Sequence, residues 1–200
     1  MKLIYSPASP FVRKVNVLMH ETGQVDDIEL VSVMTTPVST PSEVKAANPT
    51  GKIPALIRSD GPAIYDSRVI CRYLDDRAQS GLYPQDGLWE VLTLEATADG
   101  LMDAAVLMVY EGRVRPAHMI YDEWVEAQWG KVSGALDALN ERWMSHLSGP
   151  LNMGQIAVGC ALGYLDFRHG TRNWREGRGA LDDWFAVFSQ RDSMQATAPD

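Results

Sequence analysis

Cysteine and histidine are scarce in this chain: two and four of 200 residues. Cys71 and Cys160 lie far apart in apolar, helix-like surroundings. No disulfide framework, zinc spacing or Cys-x-x-Cys dithiol follows from them, and buried free thiols in a reducing compartment are expected. His20, His118, His146 and His169 are scattered without metal-ligand spacing, so surface or structural roles are expected and no metal. Positive charge is also in deficit. Lys and Arg number 18 against 26 Asp and Glu, a net charge of -8, which disfavours non-specific binding to nucleic acid or an anionic membrane. No G-x-G-x-x-G and no P-loop occurs, which removes nucleotide binding by those motifs. Long apolar runs are missing too: the longest, Ile156 to Leu165, stops at Asp166 and suits a buried helix, not a membrane span. With no apolar signal-like run after Lys2, a cytoplasmic location is expected.

What is present is a globular composition, 46% hydrophobic and 22% charged, with ample material for a core. Leu3-Ile4-Tyr5 reads as a strand. Phe11, Val15, Leu18 and Met19 recur at helical spacing up to Gly23, and residues 28–33 form a β-branched second strand. Strand, helix, strand at this length favours a parallel pair. A short helix is expected around 42–47. A third strand starts at Ile53-Pro54, where a proline can stand because a strand start needs no ladder donor. Ala63-Ile64-Tyr65 is expected as a fourth strand, joined to the third by the turn Ser59-Asp60-Gly61-Pro62. Asp66-Ser67 precedes a helical pattern through Val69, Ile70, Tyr73 and Leu74 and supplies its N-cap.

Residues 78–87, with Gly81, Pro84 and Gly87, are the linker candidate, and only helices follow. One runs from 88 to about 112 and another from 121 to 146. A buried helix is started by Asn152 and Gln155 in a capping-box variant, and a shorter one spans 181–189. The tail from Arg191 shows no apolar period and is expected to fray. The fold class is thus an α/β N-terminal domain (βαβ then ββα) followed by an all-α domain, with boundaries at 1–77, 78–87 and 88–200.

The stretch Tyr5 to Val15 is the candidate site. A strand runs through Ser6-Pro7-Ala8-Ser9-Pro10 into a helix, aiming a hydroxyl and free backbone N–H groups at one point, and a helix N-terminus suits an anion. An ordinary strand–loop–helix connection has the same pattern. Ser6 and Ser9 both compete for the role, Ser9 being the one directly at the helix start. Were the Ile53–Pro54 bond cis, Ile53 would turn its backbone polar groups toward a ligand.

In order and separation, four segments resemble the glutathione transferase superfamily, of the bacterial cytosolic type with a thioredoxin-like N-terminal domain. They are the segment from Ser6 to Val15, then Asn48-Pro49-Thr50-Gly51-Lys52-Ile53-Pro54-Ala55-Leu56, then Asp66-Ser67, then Ile156 to Leu165. The resemblance implies that Ser9, in Ser9-Pro10-Phe11, contacts the sulfur of glutathione. It implies that Ile53-Pro54 pairs with the cysteinyl backbone and that Asp66-Ser67 holds the γ-glutamyl group, although Glu is commoner than Asp there. It implies further that Lys52 reaches the glycyl carboxylate and that Asp99 reaches a partner subunit's γ-glutamyl amine. Glutathione as co-substrate, a small hydrophobic electrophile and a homodimer are implied as well.

A free thiol has a pKa of about 8.5, and lowering it by about two units takes roughly 2.7 kcal/mol. A hydrogen bond to a charged group gives about 1.5–3 kcal/mol and a helix N-terminus about 0.3–1, so Ser9 with its helix start suffices. A serine cannot form the mixed disulfide that a cysteine would, which favours conjugation or isomerisation over disulfide reduction. The electrophile pocket is expected between the domains, lined by Met102, Val106, Tyr110 and Arg113. Arg13 and Lys14 are expected to be solvated more readily than to hold an anion. Non-catalytic binding of glutathione or a hydrophobe, and isomerisation of a maleyl-type acid, are the rival functions.

Overall fold

The computed structural model describes residues 1–199. Its first half holds β1 (Lys2–Tyr5), α1 (Pro10–Glu21), β2 (Glu29–Ser32), α2 (Ser42–Ala47), β3 (Ala55–Ile57) and α3 (Ser67–Ala78). The second half holds α4 (Leu88–Val114), α5 (Asp122–Arg142), α6 (Met144–Leu147), α7 (Met153–His169), α8 (Gly179–Phe188) and α9 (Asp192–Ala196). A small mixed sheet with helices is followed by helices alone, as the element pattern predicts.

The sheet order is β2-β1-β3, with β2 parallel and β3 antiparallel to β1. Leu3 and Ile4 of the central strand are buried. The parallel pair follows from the α1 crossover between β1 and β2. The expected fourth strand is reduced to one bridge between Leu56 and Ile64, which exchange hydrogen bonds at 2.9 and 3.0 Å. Continuing that ladder would pair residues 54 with 66 and 58 with 62. Each pair contains a proline, Pro54 or Pro62, with no N–H to give, so the ladder stops on both sides.

In the second half, α7 lies against α4. At Gly154 the two helices come so close that a Cβ would stand 2.9 Å from Leu94 Cβ and 3.2 Å from the Val91 carbonyl. The run from Ile156 to Ala161 is wholly buried, and Leu94, Ala98, Leu101 and Met102 face it from α4 in one core. The capping box at Asn152 and Gln155 is present, with both hydrogen bonds made. Gln155 Nε2 also donates to the carbonyls of His146, Leu147 and Gly149. This explains a departure from the periodicity. The helix expected over 121–146 breaks at Trp143 into α5 and α6, and the side chain of Gln155 takes up carbonyls left over at that end.

The segment between α3 and α4 is pinned. Asp75 accepts hydrogen bonds from the Ser80 hydroxyl, from Leu82 N at 2.8 Å and from Tyr83 N at 3.3 Å. The tail from Arg191 does not fray: it forms α9, burying Ser193 and Met194. Arg191 Nε meets Glu21 Oε1 at 2.8 Å, fastening α9 to the end of α1. This tertiary ion pair has no signature in helical periodicity. Among the described residues no helix is long and apolar enough to cross a membrane.

Candidate functional site

Three segments reach one end of the sheet because of the strand register. Ile4 pairs with Ala55, so the register carried one and two residues further sets Tyr5 against Pro54 and Ser6 against Ile53. The Leu56–Ile64 bridge likewise sets Pro54 against Asp66. The loop before α1, the Ile53-Pro54 step and the start of α3 are thereby gathered, as the sequence motifs require.

Ser9 is the N-cap of α1, with extended backbone, and its Oγ accepts from Val12 N at 3.4 Å. A hydroxyl that accepts with its oxygen still has its proton to donate elsewhere. The supply of amides is smaller than expected. Pro10 has none, Val12 N goes to Ser9 Oγ, and Arg13 N goes to the Ser9 carbonyl at 3.0 Å. Among the described residues this leaves Phe11 as the first-turn N–H without a partner. Ser9 and Ser6 are both half-buried, but only Ser9 caps the helix; Ser6 gives its carbonyl to Ser9 N. The hollow beside Ser9 is lined by Pro7, Ala8, Pro10, Arg13, Tyr164 of α7 and Pro199.

The Ile53–Pro54 bond is cis. Among the described residues no protein group meets the N–H or C=O of Ile53. The loop before it is fastened by Asn48, which is buried. Asn48 Nδ2 donates to the Lys52 carbonyl at 2.8 Å, and its Oδ1 accepts from Thr50 N at 3.0 Å and the Thr50 hydroxyl at 2.8 Å. Lys52 itself is exposed. Asp66 is the N-cap of α3, accepting from Arg68 N at 3.0 Å, and is exposed, while Ser67 is buried.

Two expectations are corrected. Arg13 and Lys14 are not solvated. Arg13 is tucked against Gly163 of α7 and donates to the Met194 carbonyl at 3.0 Å. Lys14, fully buried, reaches Glu95 Oε1 at 2.9 Å and Asp99 Oδ1 at 2.8 Å. Burial alone would lower the Lys14 pKa, but the fields of Glu95 and Asp99 outweigh it and hold the ammonium above its ordinary range. Asp99 therefore does not face a partner subunit: it is buried within its own chain, bound by Lys14 and by Arg68 Nε at 2.7 Å.

One turn further along α4, Asp103 is the exposed acid on the Lys52 side. Burial raises its pKa, Lys52 opposes that, and Asp99, Arg68 and Asp66 act on it as well. Sequence reasoning missed Asp103 and Arg68. The signal was there in the acid stripe Glu95, Asp99, Asp103, whose four-residue steps place all three on one helical face. Of the expected electrophile wall, Met102 is fully buried core, whereas Val106 and Tyr110 are half-buried and Arg113 is exposed. Among the described residues no group of His, Cys, Asp and Glu is placed to hold a metal ion.

Comparison with known proteins agrees with this architecture. The family model for the glutathione S-transferase N-terminal domain matches residues 8–77, and that for the C-terminal domain matches residues 122–186. An Escherichia coli K12 protein, described as the uncharacterized GST-like protein YibF, is 32% identical over 204 residues, spanning 100% of this chain and 98% of that protein. A crystal structure of a glutathione transferase family member from Pseudomonas fluorescens Pf-5 with bound glutathione superposes with a TM-score of 0.97 at 44% identity, covering 100% of this chain and 98% of that one. A structure from the same organism with bound S-(propanoic acid)-glutathione gives 0.92 at 43%, covering 100% of both chains. On fold, site layout and these relatives together, the chain belongs to the glutathione S-transferase family.

Proposed function

We propose that this protein is a glutathione transferase, lowering the pKa of the glutathione thiol and presenting the thiolate to a small electrophile. The carrying observation is Ser9: it caps α1 through its oxygen and keeps its proton free to donate, next to the unpartnered Phe11 N–H. In this reading Ser9 donates to the thiolate and Phe11 N–H adds the helix-start field. Ile53 offers its unpaired N–H and C=O to the cysteinyl backbone, Pro54 holds that step, Asp66 and Ser67 take the γ-glutamyl group, and Lys52 takes the glycyl carboxylate. The Pseudomonas fluorescens relative, 44% identical, binds glutathione, which supports the same ligand here.

Residues 1–77 then form the glutathione side, 78–87 the connection and 88–200 the electrophile side, in a cytoplasmic homodimer. The chain supplies position and electrostatics; the nucleophile belongs to glutathione. A serine beside the sulfur leaves conjugation or isomerisation open and gives no thiol for disulfide exchange.

The test is an ultraviolet difference titration of glutathione bound to the wild type and to Ser9→Ala, alongside turnover on a panel of electrophiles. The bound thiol is expected to titrate about two units below the free value in the wild type and to move most of the way back in the variant. An unchanged thiol pKa would remove Ser9 from the mechanism.

A further inference from the structure

Two tyrosines are buried among the described residues, Tyr83 and Tyr164. A buried tyrosine hydroxyl normally has a partner, and that of Tyr83 donates to Glu95 at 3.0 Å. The hydroxyl of Tyr164, a residue only 5% exposed, meets no protein group among the described residues. It is not sealed in either. The one side-chain nitrogen or oxygen among the described residues that is both fully covered and without a partner is Asn16 Oδ1. The Tyr164 side chain is therefore core in its ring and open at its oxygen.

Its place gives that opening a meaning. The hollow beside Ser9 is lined by Ser9 at the start of α1, by Tyr164 from α7 and by Pro199 from the tail. Its walls are fixed to one another. Arg13, one turn into α1, fills the space that Gly163 leaves next to Tyr164 and donates to the Met194 carbonyl at 3.0 Å. The Tyr164 ring meets His169 edge-on with centroids 6.2 Å apart, and His169 Nε2 lies 3.0 Å from the Ala105 carbonyl of α4. A hydroxyl held this way needs no reorganisation when charge appears beside it.

We infer that the Tyr164 hydroxyl is a second catalytic donor, serving the oxygen on which charge gathers as the sulfur attacks, so that the preferred electrophile is an α,β-unsaturated carbonyl compound. This rests on the glutathione reading of Ser9. In that reading the thiolate already has its donors, the Ser9 hydroxyl and the Phe11 N–H, and the charge still to be met is the one on the electrophile. In the addition the S–C bond forms at the β-carbon, the C=C pair shifts toward the carbonyl carbon and the carbonyl π pair settles on oxygen. The α-carbon then takes a proton from water. An enolate oxygen is a strong acceptor suited to an O–H donor, whereas a departing halide accepts weakly. Burial, opposed by Arg168 and Arg113, pushes the Tyr164 pKa up to about 12, so at neutral pH the hydroxyl keeps its proton and gives a hydrogen bond.

The test compares a phenyl-substituted enone with benzyl chloride, whose charge leaves on chloride, using the full chain and glutathione. Over the uncatalysed reaction, the wild type is expected to accelerate the enone more than benzyl chloride by about tenfold or more, the worth of one hydrogen bond to a charged oxygen. Tyr164→Phe keeps the ring, and thermal melting verifies its fold. The ratio of kcat/KM for the enone to that for benzyl chloride should fall in it by the same factor, through kcat more than KM, while the pKa of the bound glutathione thiol stays in place. Equal acceleration of the two substrates by the wild type overturns the proposal whether or not the variant folds. So does an equal loss on both substrates in the variant, or a bound thiol whose pKa rises, which would give the hydroxyl to the sulfur. Glutathione binding without turnover of the enone overturns the role of Tyr164 alone. Absence of glutathione binding overturns the glutathione reading, and this role with it.

Discussion

Lys14 and Asp99, 85 positions apart in the chain, meet at 2.8 Å with neither side chain exposed by more than 2%. The pair joins α1, which carries the Ser9 cap, to α4, and Glu95 completes it from one turn earlier on α4. Removing Lys14 leaves Glu95 and Asp99 buried without their shared counter-charge, with Arg68 still touching Asp99 and the Tyr83 hydroxyl Glu95. Lys14→Met is therefore expected to cost about 3–5 kcal/mol, read as a lowered urea midpoint. Adding Asp99→Asn to it should recover part of that loss, because one of the stranded charges is then gone. A Lys14→Met protein as stable as the wild type would show that the ion pair contributes nothing.

Asn48 holds the loop that delivers Ile53. Asn48→Ala breaks the hydrogen bonds to the Lys52 carbonyl and to Thr50, with an expected loss of about 1–3 kcal/mol for the groups left unmet. If Ile53 pairs with glutathione, the same variant should bind it about tenfold more weakly, whereas a variant of the exposed Glu43 should not. Calorimetric titration with glutathione separates the two effects.

At Gly154 α7 lies close against α4. A methyl group there meets Leu94 and the Val91 carbonyl and pushes the helices apart, so Gly154→Ala should destabilise by about 1–3 kcal/mol despite the better helix propensity of alanine. Chemical denaturation measures it directly. A stabilised variant would mean that the two helices yield freely at this point.

His169 gives the fold a pH dependence whose sign is fixed. It is buried on α7, and burial first, then the charges of Arg172 and Arg168, lower its pKa below the ordinary 6.5 in spite of the hydrogen bond to the Ala105 carbonyl. The unfolded chain then holds the proton more tightly than the native one. Stability is fully present above about pH 6.5 and falls as the pH drops through the window down to the lowered value. Urea midpoints should therefore be lower near pH 5.5 than near pH 7.5, and His169→Gln should remove part of that difference. A pH response identical in the variant would assign it to other groups.

Much of this was legible in the sequence because it depends on local spacing. The parallel β1–β2 pair, the 42–47 helix and the Asn152–Gln155 box follow from period, cap and turn chemistry, whereas the grouping of Ser9, Ile53-Pro54 and Asp66-Ser67 came from the family resemblance. What was not legible depends on distant partners. Two prolines on opposite sides of one bridge cancel a strand that looks sound by itself. Arg13 and Lys14 read as surface charges until α9 and α4 are laid over them, and the α9 tail reads as frayed until Glu21 catches Arg191. Asp99 matched the family's intersubunit acid by position, yet Lys14 had already claimed it.

The doubly anchored helix α1 has a consequence for anyone reshaping this cleft. Ser9 caps its start, while Arg13 and Lys14, one turn on, are locked into α7, α9 and α4. A library that randomises α1 would mostly sample broken folds. Tolerance to variation is greater at the half-buried or exposed polar positions of α4 and α7, such as Tyr110, Arg113 and Arg168. The start of α1 is thus fixed by the helices laid over it, while the outer faces of α4 and α7 are open to change.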